Sequence, residues 1–195
     1  MTLPDLEPAA RRMADLIGGV SEDALDAPTP CPNYTVGDLV DHVGGLSLAF
    51  TAAATKAVGH DGSPAPSPQA SRLGDDWRVR IPRDLMGLAR AWRDPAAWSG
   101  FTRAGGVDLP GEIAGLVALD ELVIHGWDVA RATGQAYDCD SSTLEAVYDF
   151  VVPMSAPGQE VPRIFGPVVE VADGAPLLDR LLGLTGRNPG WPTGS

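Results

Sequence analysis

Apolar positions recur at helical spacing in several separate stretches of this chain. Leu6, Ala9, Ala10, Met13, Leu16 and Ile17 fall at steps of three and four, which predicts a helix across Leu3 to Val20 that ends at Gly18 and Gly19. A second stripe, Val36, Leu39, Val43, Leu46 and Phe50, predicts a helix to about Val58. Its start is marked by Thr35 three residues before Asp38, the spacing of a capping box. Between the two lies a loop punctuated by Pro28, Pro30 and Pro32. Residues Gly59 to Asp76 show no periodicity and are rich in Gly, Ser and Pro, so they are expected to be a long loop. A third helix is expected over Pro82 to Trp92, then a turn or short hairpin around Gly105-Gly106. The fourth helix, Pro110 to Thr133, has proline at its head and Gly134 just past its end. A fifth over Ser142 to Pro153, a short strand over Ile164 to Ala172 and a last short helix over Pro176 to Leu184 complete the expectation. Four helices long enough to pack argue for a mainly all-α bundle with a small C-terminal extension.

Composition narrows the partners. Asp and Glu outnumber Lys and Arg by 26 to 14, a formal net charge of −12, and no run of basic residues makes a local patch. Such a surface repels phosphate backbones and anionic lipid, so neither nucleic acid nor a membrane is expected as a partner. No apolar run approaches the roughly 20 residues that span a bilayer. The N-terminus, with Asp5, Glu7, Arg11 and Arg12 early, does not read as a signal peptide. Cys31 and Cys139 form no Cys-x-x-Cys pattern, so a disulfide framework is not expected and a cytoplasmic address is.

The chemistry concentrates in the fourth helix, which is apolar nearly all round. Ile113, Val117, Glu121 and His125 stand at four-residue steps and so share one face. A carboxylate in such surroundings costs several kcal/mol unless it is protonated, paired or bound to a metal. By itself the Glu121–His125 pair fits equally a hydrogen-bonded pair inside a helical core. His42, at the edge of the second helix's apolar stripe, brings a second imidazole within reach across the bundle, and facing side chains are how bundles build metal sites. Two imidazoles and a carboxylate leave a coordination position open, as in reactive rather than structural sites. Asp120 points about 100° from Glu121 around the helix and is a poorer partner for His125. Asp38 can orient His42 from one turn away or simply cap its helix, and capping is the favoured role. Asp128 can orient His125 or pair with Arg131. Cys31 precedes the His42 helix, and a small buried apolar role is its commoner fate.

Three segments carry a family resemblance. Pro30-Cys-Pro-Asn-Tyr-Thr-Val-Gly-Asp-Leu-Val-Asp-His42 resembles the first metal motif of the mycothiol-dependent maleylpyruvate isomerase N-terminal domains, within the DinB-like superfamily. Glu121-Leu-Val-Ile-His-Gly-Trp-Asp-Val-Ala-Arg-Ala-Thr-Gly134 resembles the second. Pro176 to Arg187 resembles the closing helix of the short, single-domain members. The resemblance implies one DinB-like metal-binding domain over residues 1–195, its four-helix bundle at about 3–134 and its extension at 135–195. It also implies a divalent metal, zinc first, at His42, Glu121 and His125, and mycothiol as a thiol cosubstrate. The residues after Gly134 are too few for the second domain of the isomerase, so maleylpyruvate itself is not the expected substrate.

The reading that follows is a metal- and thiol-dependent transferase or isomerase acting on a small electrophile. A non-catalytic metal-binding or ligand-sensing module is the alternative, and a metal-dependent hydrolase the next. No side chain is assigned as acid or base, and the oligomeric state, a homodimer included, stays open.

Overall fold

The computed structural model describes residues 3–57, 67–155 and 165–194. Its helices are α1 (Glu7–Gly18), α2 (Val36–Ala54), α3 (Trp77–Ala91), α4 (Gly111–Ala132), α5 (Ser141–Met154) and α6 (Leu177–Leu184). An antiparallel hairpin, β1 (Phe101–Ala104) and β2 (Val107–Pro110), precedes α4. Its two-residue turn is Gly105-Gly106, both at positive φ (57° and 81°), which suits the twist of a tight hairpin.

The first four helices form a bundle in which α1 and α2 each pack against both α3 and α4. The apolar stripes meet in its middle: Leu6, Met13, Leu16, Ile17, Leu39, Ile81, Leu85, Leu88, Leu119 and Leu122 are all fully buried. Each such side chain contributes about 1.5–3 kcal/mol relative to leaving it in water. α5 packs on α4, and α6 packs on α5, so the C-terminal helices lean on the outer side of α4. No described helix is long and apolar enough to cross a membrane.

Two differences from the sequence expectation stand out beyond a few residues at helix ends. α3 starts at Trp77, not Pro82, and carries the proline inside it. Trp77 and Ile81, one turn apart, are both buried, and that anchorage outweighs the hydrogen bond that Pro82 cannot donate. Residues 165–172 form no strand: Val169 N–H donates to the carbonyl of Gly183 (2.9 Å), so this segment spends a backbone donor on α6 instead of on a neighbouring strand. The expected loop at Gly59 to Asp76 lies partly outside the described residues, His60 with it. Its described end is tied to α2, with Gln69 N–H donating to Asp41 (2.9 Å) and Ala70 N–H to Asp38 (2.9 Å).

A candidate metal centre between α2 and α4

The centre begins with how α2 starts. Asp38 N–H donates to Thr35 Oγ1 (3.2 Å) and Thr35 N–H to Asp38 Oδ2 (3.1 Å), a complete capping box. The loop before it closes on Thr29, whose hydroxyl contacts the carbonyls of Cys31 (2.9 Å) and Tyr34 (2.8 Å) and accepts from Cys31 N–H (3.2 Å). That fold-back sets Tyr34 beside His42, with ring centroids 5.6 Å apart.

His42 then faces α4. Its Nε2 lies 3.4 Å from Glu121 Oε2, and His125 Nε2 lies 3.0 Å from the same oxygen. The two imidazoles meet edge to face at 5.0 Å. His42, Glu121 and His125 offer ligand atoms within 4.8 Å of one another. The group grades from solvent to core: the side chains of His42 and Glu121 are 27% and 21% exposed, that of His125 10%. The face of α4 that carries them does the same, with Ile113 exposed at one end and His125 buried further along.

On the inner side, His125 Nδ1 lies 2.9 Å from Asp128 Oδ2, and Asp128 is completely buried. The cation facing Asp128 is Arg187, not Arg131. Arg187 Nη2 donates to Asp128 Oδ2 (3.0 Å) and Nε to Oδ1 (3.4 Å). Arg131 instead donates to the carbonyls of Trp191 and Pro189 and stacks over Trp127. Asp38 is occupied by Thr35 and Ala70, and no described bond joins it to His42. Sequence reasoning gave Arg187 no role. The only local signal was the glycine before it, which suits a helix C-terminus.

The charged groups lie close enough to shift one another. Burial alone would raise the Glu121 carboxyl, but hydrogen bonds from His125 and His42 outweigh it and hold the group well below the usual range. Burial alone would lower His125, yet the bonds to Asp128 and Glu121 push it up to about 9. Asp120 is driven the other way, up to about 8, by burial and then by repulsion from Glu121. Its Oδ1 is buried with no hydrogen-bond partner among the described residues. Cys31 lies within 4.8 Å of ligand atoms of His125 and Asp128, on the inner side, and burial raises its thiol despite Arg187.

The model of the mycothiol maleylpyruvate isomerase N-terminal domain family matches residues 6–130. The chain belongs to that family. Its matched segment holds His42, Glu121, His125 and Asp128, whereas Arg187 lies beyond it. Uncharacterised proteins from two strains of Mycobacterium tuberculosis are each 27% identical over 127 residues, 65% of this chain. The chain spans 64% of the length of those relatives. The crystal structure of the mycothiol-dependent maleylpyruvate isomerase shares the fold, with a TM-score of 0.58 at 17% identity over 80% of this chain and 72% of that one.

Proposed function

We propose that this family member is a divalent-metal, thiol-dependent transferase or isomerase acting on a small electrophile, with mycothiol the first thiol to consider. The observation that carries the reading is the convergence of His42, Glu121 and His125, two of them reaching solvent, in a member of the mycothiol maleylpyruvate isomerase N-terminal domain family. The donor set fits the group. Two imidazole nitrogens and a carboxylate oxygen suit zinc, and a carboxylate on the far nitrogen of a ligating histidine is its usual support.

A divalent ion held by His42, Glu121 and His125 would supply Lewis acidity, favouring the thiolate form of a thiol near neutral pH. Everything else is the work of the chain. Glu121 and Asp128 bring two negative charges to the centre and Arg187 one positive. With a divalent ion these residues would leave one net positive charge at the centre, a setting that would favour an anionic cosubstrate. His42 and Glu121 line the solvent side, so a cosubstrate approaches past them and past Tyr34. Burial of His125, Asp128 and Asp120 keeps water from the inner side. No side chain of the centre has the character of a nucleophile: Cys31 is held as a thiol by its burial.

Metal analysis of the purified protein is the test, followed by cobalt substitution and titration with mycothiol. About one equivalent of a first-row ion is expected, lost in His42→Ala, together with a sulfur-to-cobalt charge-transfer band on adding the thiol. Full metal content in His42→Ala would overturn the ligand set. A cobalt protein blind to mycothiol and other cellular thiols would overturn the thiol chemistry and favour a ligand-sensing module.

A further inference from the structure

We infer that Arg187, in the segment beyond the family match, is the positioning residue of the metal centre. It acts through Asp128 to fix which nitrogen of His125 faces His42 and Glu121. The inference rests on the metal reading above, but it is carried by a different set of contacts.

The first observation is how α6 ends. Gly186 sits at φ +82°, its N–H donates to the carbonyl of Gly183 (3.1 Å), and Arg187 N–H donates to that of Leu182 (2.8 Å). This is the paired bonding of a Schellman ending, which requires a residue free to adopt positive φ at that position. A Cβ on Gly186 would also stand 2.8 Å from Gly166 Cα, so the turn is closed on both counts. Arg187 therefore leaves the helix in one fixed direction.

The second observation is how fully its guanidinium is used. Nη1 donates to the carbonyl of Thr185 (2.9 Å), while Nη2 and Nε both face the Asp128 carboxylate. The side chain is 11% exposed and Asp128 0%. Asp128 thus has both oxygens engaged by the arginine and keeps Oδ2 turned to His125 Nδ1. A carboxylate can only accept, so Nδ1–H donates to Asp128 and keeps its proton, while Nε2, which donates to Glu121 in the metal-free protein, is the nitrogen that would give up its proton to a cation. The imidazole could otherwise present either nitrogen, because its two faces meet different partners: Glu121 and His42 on one, Asp128 and Cys31 on the other.

An arginine that only neutralised a buried carboxylate would affect stability and nothing else. A positioning arginine also sets metal affinity and the His125 proton, and these separate the two roles. The test is zinc affinity by chelator competition, together with the imidazole 1H–15N spectrum, for wild type, Arg187→Met and Arg187→Lys. Measurements are made well below each protein's Tm. Arg187→Met should bind zinc about 10–100-fold more weakly and lose the protected Nδ1 proton of His125. Arg187→Lys keeps the charge but not the two-pronged geometry, so its affinity should fall between the other two. Wild-type zinc affinity with an intact Nδ1 proton in Arg187→Met would overturn the inference. Should Arg187→Met fail to fold, Arg187→Lys decides alone, and wild-type affinity there would overturn it. If wild type itself took up no zinc, the metal reading would fall. The Nδ1 proton in the metal-free protein would then decide the positioning role: protected in wild type and lost in Arg187→Lys supports it, unchanged overturns it.

Discussion

The two seams of the bundle differ in kind. Between α1 and α3 the buried contact is apolar, with Ala10, Met13 and Ile17 on one side and Ile81, Leu85 and Leu88 on the other, all essentially at zero exposure, and polar pairs such as Arg93–Glu7 stay at its exposed edge. Between α2 and α4 the same packing is interrupted by His42, Glu121 and His125, with Asp120 and Asp128 buried nearby. Burying those groups costs free energy that only pairing or a cation returns. One seam therefore holds the fold together, and the other spends part of that stability on a polar centre. Sites of this kind are expected where local rules are broken against an otherwise consistent framework.

The sharpest way to break the contrast is on the polar side. His125→Ala removes the most buried of the three donors and leaves Glu121 and Asp128 without their common partner. Zinc-finger peptides bind at about 10–16 kcal/mol over four ligands, roughly 3 kcal/mol each. Metal affinity should accordingly fall by at least about 100-fold, read by chelator competition. On the hydrocarbon side, Leu85→Ala should lower the unfolding free energy by about 2–5 kcal/mol in urea denaturation. The folded fraction should still bind metal as wild type does. Equal effects of both substitutions on both readouts would erase the distinction.

Protons sharpen it further. His125, raised to about 9, still holds its extra proton at neutral pH in the metal-free protein, so a metal ion must displace it. Calorimetry in buffers of different ionisation enthalpy should show proton release at pH 7. Affinity should climb by up to about tenfold per pH unit until about pH 9, then level off. The same shift stabilises the metal-free fold below the ordinary histidine value of 6.5, a contribution lost as pH rises through about 9. Glu121, held low, adds stability above its ordinary value of 4.5 that is lost in stronger acid. The metal-free protein should thus be most stable between those two values, by thermal melts across pH. The smallest effect belongs to Cys31→Ser, since the proposed ligand set of His42, Glu121 and His125 does not include it. Metal content should stay near one equivalent, and its loss would reveal a closed, four-donor site.

What could be read in the sequence was whatever repeats within a few turns of chain. The capping box at Thr35 and Asp38, the paired glycines of the hairpin and the i, i+4 step from Glu121 to His125 are all local patterns, and each corresponds to a feature of the fold. The pairing of Asp128 could not be read that way. Arg131 was the near candidate at three residues, whereas Arg187 is 59 residues distant, so only the packing of α5 onto α4 and of α6 onto α5 brings it in. The start of α3 was hidden for a related reason. Pro82 reads locally as a boundary, and the buried pair Trp77 and Ile81 that overrules it is a tertiary fact. Asp120 was discounted as a partner for His125, but its burial and its unpartnered oxygen depend on neighbours that no periodicity reports.

The ending of α6 turns that helix into a measuring stick. One residue inserted between its contact with Val169 and Gly186 would swing Arg187 by about 100° and advance it about 1.5 Å. The guanidinium would then miss Asp128 altogether. The same insertion in the segment leading into α6 would be absorbed as slack. Length changes should therefore be tolerated between Ala172 and Leu177 and rejected between Gly183 and Gly186. Insertion scanning would find a sharp edge in a part of the chain that lies beyond the segment matched to the family.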